Sequence, residues 1–175
     1  MNHAEHLVDL VDESGIVVGS KQRQEINKAA DLYHTVFVIL RTPAQELILS
    51  KIPDRKDLPN LYPGCIGATV ATIRRHDETP DEASLRAVRN ELFTKDIQLT
   101  RLVDMYLELA AGSKRYMSAY CGTHPMPEDF SHKDIESLVA FDRAELEDAI
   151  QSKKDQFALT FLTIWQKCQA ELFLV

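Results

Sequence analysis

The feature that most constrains the fold is a short helix with a clearly marked start, within residues 67 to 93, GATVATIRRHDETPDEASLRAVRNELF. The segment TPDE at residues 79 to 82 predicts that start, because proline is tolerated in a first turn and the helix dipole stabilises acidic side chains there. Three apolar residues follow at helical spacing and predict a face that packs on a core: Leu85, Val88 and Leu92. We therefore predict a strand, a polar loop and a helix in succession.

The other face of this helix carries side chains that could bind a metal ion. Residues three and four apart share a helix face, and this face holds Arg86, Ala87, Asn90 and Glu91. Carboxylates at positions 87, 90 and 91 would together form an oxygen cage for Mg²⁺ or Mn²⁺. The chain supplies only Glu91 and one amide there. A metal would therefore need further ligands from Glu78, from loop residues 76 and 77, or from the phosphates of a substrate.

The rest of the chain alternates between strand and helix patterns. β-Branched and aromatic runs predict strands at residues 6–12, 16–18, 34–41, 46–51, 65–73, 97–110, 116–122 and 137–141. Helices are predicted at residues 143–153, with Asp142 as the cap, and at residues 157–173, while residues 21–31 form a polar loop with a helical turn. Strands followed by a helical C-terminus predict an α+β fold, an α/β/α sandwich. No repeat or linker is visible, so we predict one domain over residues 1–175.

Composition excludes some partners and indicates a compartment. The net charge of -7 argues against general binding to nucleic acid, which requires basic surfaces. Cys65, Cys121 and Cys168 lack metal-type spacing and are interpreted as buried thiols in a reducing compartment. There is no secretory pattern and no apolar run of membrane length. We therefore expect a cytoplasmic protein that binds neither nucleic acid nor membrane.

Residues 67 to 93 resemble the signature box of the Nudix superfamily. In that box a glycine and a glutamate precede an Arg-Glu-x-x-Glu-Glu helix that holds a divalent metal against a substrate diphosphate. The matching residues are Gly67, Glu78, Arg86 and Glu91. Two helix glutamates are replaced by Ala87 and Asn90, ten residues instead of five separate the glycine from the glutamate, and Asp77 replaces a glycine. The resemblance implies a Nudix fold with a mixed central sheet, a box helix and C-terminal helices.

Nearly the full chain is similar to the isopentenyl diphosphate isomerase-like branch of that superfamily. The similarity includes HLVDLVDESGIVVGSKQR, YHTVF, LILSKIPDRKDLPNLYPG and FALTFLTIW. That branch uses a Cys-Gly-His segment, and Ile66-Gly67-Ala68 stands in its place. A metal histidine of the branch falls on Asn27, and two of its glutamates fall near Ser113 and Arg115. The cationic residues that would bind the diphosphate are retained: Arg23, Lys51, and Arg55 or Lys56.

The resemblance implies roles for individual residues. Glu91 and Glu78, with His34, would hold Mg²⁺ or Mn²⁺, and Arg86 would orient the loop. The implied function is that of a Nudix hydrolase-like protein that binds an organic or nucleoside diphosphate, with weak or absent metal-dependent hydrolysis of the pyrophosphate bond. Two alternatives stay open: an isopentenyl diphosphate isomerase-like enzyme, and a non-catalytic module that binds a diphosphate or a protein.

Structural interpretations of the same residues also stay open. His34 heads an apolar strand and could be a histidine at the edge of the core. Lys51, with residues 55 and 56, could be a solvated loop, and Glu78 could form a structural ion pair with Arg86. The aromatic residues Tyr62, Phe157, Phe161 and Trp165 are interpreted as core. The C-terminal helix is expected to pack in the core, with a homodimer contact as the alternative.

Overall fold

The computed structural model describes residues 6–54, 62–109 and 112–174. Its strands are β1 (Leu7–Val11), β2 (Val17–Gln22), β3 (Tyr33–Arg41), β4 (Leu47–Lys51), β5 (Ile66–Gly67), β6 (Val70–Ile73), β7 (Thr100–Glu108), β8 (Lys114–Thr123) and β9 (Ser137–Phe141). Its α-helices are α1 (Pro80–Glu91), α2 (Arg143–Ser152) and α3 (Leu159–Leu172). A short 3-10 turn, Arg23–Glu25, follows β2. None of the helices in these described ranges has the length and apolar character needed to cross a membrane.

Strand β3 is the centre of a mixed sheet. It pairs in antiparallel fashion with β1, β4 and β6, and in parallel fashion with β8 along its whole length. Strand β7 extends the sheet beyond β8, β2 extends it beyond β1, and β4 also pairs with β5 and β9. The long buried run YHTVFVILR explains the central position of β3, because a strand covered on both faces must be apolar on both.

Helices cover both faces of the sheet, as the predicted sandwich requires. On one face Val36 and Val38 of β3 pack with Val88 of α1. On the other face Phe37 and Ile39 belong to a core cluster that includes these residues of α2 and α3: Leu146, Phe161, Ile164, Trp165 and Leu172. The predicted α+β class is confirmed, and Phe161 and Trp165 lie in the core as interpreted.

Helix α1 begins where the sequence predicts. Thr79 accepts a hydrogen bond from the Glu82 amide at 3.2 Å, and the Glu82 carboxylate accepts one from the Thr79 amide at 2.8 Å. This reciprocal arrangement satisfies two amides that the helix itself cannot. The prediction for Leu85 is wrong: its side chain is exposed, because the buried stripe runs through Ala83, Ala87 and Val88 instead.

The single strand predicted at residues 65–73 is two short strands with different partners. Strand β5 pairs with the end of β4, whereas β6 pairs with β3. Thr69 lies between them and is fully buried. Its hydroxyl accepts a hydrogen bond from the Leu40 amide at 2.7 Å and donates one to the Ile48 carbonyl. The hydroxyl therefore joins β3 to β4 where the chain crosses from one partner to the other.

Replacing Thr69 with valine is expected to lower the free energy of unfolding by about 3 kcal/mol. The two side chains have nearly the same shape, but valine leaves the buried Leu40 amide without this partner, and an unpaired buried polar group costs about 1–3 kcal/mol. The Ile48 carbonyl loses a bond as well. Urea unfolding measures the change.

The matched control is Thr163→Val in α3. The Thr163 hydroxyl bonds only the Leu159 carbonyl, one turn earlier in its own helix, at 2.9 Å. Its loss should change the free energy of unfolding by less than about 1 kcal/mol, since no other element depends on it. Equal losses in the two variants would contradict the bridging role of Thr69.

Candidate functional site

Arg86 and Glu78 form the best-connected ion pair beside α1. Arg86 donates from Nε and Nη2 to the two carboxylate oxygens of Glu78, at 2.6 and 2.8 Å. It also donates to the Thr72 hydroxyl and to the Ile73 carbonyl, each at 3.0 Å. Both charged side chains are less than one-fifth exposed. The pair fixes the loop that enters α1 against the end of β6.

Glu78 has little capacity left for a metal ion. Its Oε2 also accepts the amide of Arg75 at 2.9 Å. Burial opposes ionisation of this carboxyl, but the hydrogen bonds from Arg86 and from the Arg75 amide hold its pKa below the ordinary value. Asp77, which precedes it, adopts a positive φ of 58°, a conformation that glycine adopts most easily. Glu78 therefore has the structural role that the ion-pair interpretation describes.

Glu91, the last residue of α1, is an enclosed carboxyl. Burial, with a smaller contribution from the charge of Asp134, raises its pKa to about 8, although the charge of Arg86 opposes the shift. Among the described residues it has no ion-pair partner. The Ser131 amide donates to the Glu91 carbonyl at 2.7 Å and brings residues 131–136 against this end of the helix. The raised pKa favours the protonated form of Glu91 at neutral pH.

Sequence reasoning missed Asp134. It follows no recognisable ligand pattern, and it reaches Glu91 only because β9 pairs with β4 and positions the preceding loop beside α1. The nearest local signal is a turn in which the Ser131 hydroxyl donates to the Asp134 carboxylate at 2.7 Å. Such turns are common on protein surfaces and would not have identified a site.

His34, the third predicted metal ligand, contacts Ser118 in the sheet. It is 3% exposed, its Nε2 lies 2.7 Å from the Ser118 hydroxyl, and its ring packs edge-on against Tyr116. Because the Ser118 hydroxyl donates to Asp104, His34 must donate from Nε2, and its buried Nδ1 has no partner in the described structure. Burial lowers its pKa to about 4. His34 is a neutral residue that joins β3 to β7 and β8.

The three predicted metal ligands thus lie in three different environments. Glu78 is bound to Arg86, His34 is bound to Ser118, and Glu91 is protonated beside Asp134. Residues 6–54, 62–109 and 112–174 contain no group of three His, Cys, Asp or Glu side chains able to hold a metal ion. Because Mg²⁺ and Mn²⁺ require several ionised oxygen ligands, this donor set does not fit a metal cage built by the protein.

The predicted cationic residues are only partly brought together. Arg23 lies on the 3-10 turn after β2, is exposed, and is within electrostatic range of Arg86, Asp134 and Arg75. Lys51 instead pairs with Glu136 at 2.6 Å, and both side chains are about two-fifths exposed. The other two predicted residues, at positions 55 and 56, lie outside the described ranges.

An open groove of about 430 Å³ runs beside the first turns of α1. Its basic lining residues are Arg75, His76, Arg86 and Arg89, and its acidic ones are Asp77, Glu78 and Glu82. The Glu82 carboxylate is used at the helix cap and Glu78 is paired with Arg86. Arg75 and Arg89 have no ion-pair partner in the described part of the chain. This groove can therefore bind an anion.

Sequence reasoning also missed the environment of Arg115. It is 6% exposed, and its guanidinium lies 4.0 Å from the centre of the Tyr33 ring. The contact arises because Tyr33 and Arg115 are direct partners in the parallel register of β3 and β8. No local pattern reveals such a pairing, since the two residues are far apart in sequence.

Comparison with models of known protein families gives no match, and comparison with curated proteins gives none. Solved structures do match. The protein DR0079 from Deinococcus radiodurans has a TM-score of 0.75 at 20% identity, over 92% of this chain and 98% of that one. A Nudix hydrolase from Nitrosomonas europaea has a TM-score of 0.61 at 14% identity, over 81% and 90% of the two chains.

A third similar structure carries a ligand. The Nudix domain of Shewanella oneidensis NrtR, in complex with ADP ribose, has a TM-score of 0.60 at 13% identity, over 87% of this chain and 94% of that one. Identities this low establish the fold alone. The likeness to the isopentenyl diphosphate isomerase-like branch stays a prediction from the sequence. With its mixed sheet, its box helix and helices on both faces, the chain has the Nudix fold.

Proposed function

We propose that this protein binds an organic or nucleoside diphosphate beside α1 and hydrolyses it weakly or not at all. The observation that carries the proposal is the position of Arg23, which lies within electrostatic range of Arg86 and Arg75. Arg23 and Arg75 can each donate two parallel hydrogen bonds to phosphate oxygens. Arg86 is bonded to Glu78, Thr72 and Ile73, and adds positive charge nearby. The protonated Glu91 adds no negative charge to oppose the ligand.

The class of ligand follows from the arginines and from one similar structure. A diphosphate presents several anionic oxygens on two adjacent phosphorus atoms, so it can contact more than one guanidinium at once. The Nudix domain of NrtR binds ADP ribose, which contains such a diphosphate. This similarity supports a nucleoside diphosphate compound as the first ligand to test.

Weak or absent hydrolysis is proposed from the acidic residues. Metal-assisted hydrolysis polarises the phosphate oxygens and generates hydroxide from bound water, and it requires carboxylates that hold the ion. Glu78 is committed to Arg86, and Glu91 retains its proton at neutral pH. Isomerisation of isopentenyl diphosphate would need two opposed acid and base groups, and Ile66 and Ala68 supply neither.

Calorimetric titration with ADP-ribose and with inorganic pyrophosphate tests the proposal. Arg23→Gln is expected to weaken binding about tenfold, the effect of roughly one charge-assisted contact. The matched control is Arg143→Gln on α2, whose side chain is 54% exposed and pairs with Glu147 in the same helix; this variant should bind like the parent protein.

A turnover screen accompanies the titration. We expect negligible hydrolysis of ADP-ribose and other nucleoside diphosphate compounds, and no isomerisation of isopentenyl diphosphate, with either Mg²⁺ or Mn²⁺ present. The absence of binding to every diphosphate would refute the proposed function. Rapid turnover would refute the proposed weakness of hydrolysis and would show that the acidic residues rearrange when substrate binds.

A further inference from the structure

Arg115, at the start of β8, is a buried cation that has no acidic partner among the described residues. Its guanidinium donates to the carbonyls of Lys28, at 3.3 Å, and Lys114, and it lies over the Tyr33 ring. No aspartate or glutamate in the described part of the chain pairs with it. Removing a charge from water is costly unless a partner compensates. Two carbonyls and an aromatic face offset only part of the cost of burying the charge. A bound anion next to Arg115 would therefore be stabilised.

A second polar group beside Arg115 also lacks a partner. The Tyr62 hydroxyl is buried and makes no hydrogen bond in the described structure. Tyr62 lies within electrostatic range of Arg115. A buried hydroxyl without a partner destabilises the free protein, and an oxygen of a bound anion could accept a hydrogen bond from it. The hydroxyl and the guanidinium are therefore suited to the same ligand.

Two residues near Arg115 also interact electrostatically with Arg23. Tyr33 and Lys28 are each within electrostatic range of both Arg23 and Arg115. Arg23 and Lys28 are exposed, whereas Arg115 is buried. The positive charge thus extends from the solvent inward, from Arg23 past Tyr33 to Arg115.

We propose that Arg115 and Tyr62 form an inner phosphate subsite, and that this protein therefore binds a diphosphate without a divalent metal ion. The inference rests on the proposed function and specifies how that function is achieved. Guanidinium groups supply the countercharge that a metal ion would otherwise provide at the phosphate oxygens. Free Mg²⁺ coordinates pyrophosphate in solution and competes with the arginines for the same oxygens. Added Mg²⁺ should therefore weaken binding.

The first experiment measures the affinity for inorganic pyrophosphate by calorimetry, once in EDTA and once with millimolar MgCl₂. We expect binding in EDTA, and binding weakened about three- to tenfold by Mg²⁺. Binding that requires Mg²⁺ would overturn the metal-free subsite while leaving diphosphate binding intact. The absence of binding under both conditions would refute the proposed function itself.

The second experiment changes the subsite. Tyr62→Phe removes only the unpartnered hydroxyl, so its thermal unfolding temperature should be unchanged or higher, while pyrophosphate binding weakens about fivefold. Tyr106→Phe is the matched control, because that hydroxyl bonds Glu108 on β7 at 2.9 Å; its affinity should not change. A Tyr62→Phe variant that binds like the parent protein would exclude the hydroxyl from the subsite.

Arg115 is tested with two substitutions. Arg115→Lys keeps the charge but loses the forked geometry, and Arg115→Gln loses both. We expect affinity for pyrophosphate to fall about threefold and more than tenfold respectively. If the glutamine variant unfolds, the lysine variant and Tyr62→Phe decide the matter. Unchanged affinity in both of these would overturn the subsite, even if Arg23→Gln still weakened binding.

Discussion

Replacing Arg86 with methionine is expected to lower the free energy of unfolding by about 4 kcal/mol. Methionine keeps much of the apolar length of the side chain but leaves the carboxylate of Glu78 enclosed and without its cation. Breaking a buried ion pair by removing one partner typically costs about 3–5 kcal/mol. The two side chains are 17% and 13% exposed, so solvent can screen little of the uncompensated charge.

The connections of Arg86 explain why the effect should extend beyond one ion pair. Its guanidinium also bonds Thr72 and the Ile73 carbonyl on β6. It therefore links the central sheet, the entry loop and α1. We expect the variant to expose the loop at residues 74–78, which faster amide hydrogen exchange would detect, and to lose affinity for pyrophosphate along with stability.

Further variants isolate the electrostatic contribution to the stability lost in Arg86→Met. Arg143→Met removes an exposed pair with Glu147 within α2 and should cost less than about 0.5 kcal/mol. Adding Glu78→Gln to Arg86→Met removes the stranded charge and should recover part of the loss. Urea unfolding of the parent protein, Arg86→Met, Glu78→Gln and the double variant completes the cycle. A loss below about 1 kcal/mol for Arg86→Met would show that the loop is held by other contacts.

Elements with local signals were predictable from the sequence. The start of α1 is set by Thr79 and Glu82, and α2 begins directly after its cap, Asp142, whose carboxylate accepts the Glu145 amide at 2.8 Å. Strand β3 was predictable because its five-residue apolar run, VFVIL at residues 36–40, is typical of a strand that is buried on both faces. In each case the determining contacts lie within a few residues of one another.

The parts that were not predictable depend on long-range pairing. Nothing near Thr69 in the sequence shows that its hydroxyl will bridge Leu40 and Ile48. The same holds for Asp134 beside Glu91 and for Arg115 over Tyr33, which the strand order brings together. The Nudix resemblance indicated which residue types to examine. It did not determine their charge states, since these depend on burial by distant segments.

Glu91 is expected to make the protein less stable as the pH rises from 5 to 8. Burial raises the pKa of this carboxyl in the folded state from an ordinary value of 4.5 to about 8. Between these values the folded protein keeps a proton that the unfolded chain has lost, so each increase in pH favours unfolding. The loss should be on the order of 3 kcal/mol, allowing for residual contact with solvent.

Glu91→Gln isolates this contribution, because an amide has the shape of the protonated carboxyl and does not titrate. Urea unfolding in EDTA from pH 5 to pH 9 should show the decline in the parent protein and a flatter profile in the variant. Other titrating groups, including His76, affect both proteins alike and cancel in the difference. Parallel profiles would mean that Glu91 is ionised in the folded protein, and would make it available to a metal ion.

Repeating the parent series in millimolar MgCl₂ tests directly whether Glu91 binds a metal ion. A metal bound to Glu91 would displace its proton and flatten the dependence of stability on pH. Because the donor set does not fit a metal ion, we expect the same pH dependence with and without MgCl₂.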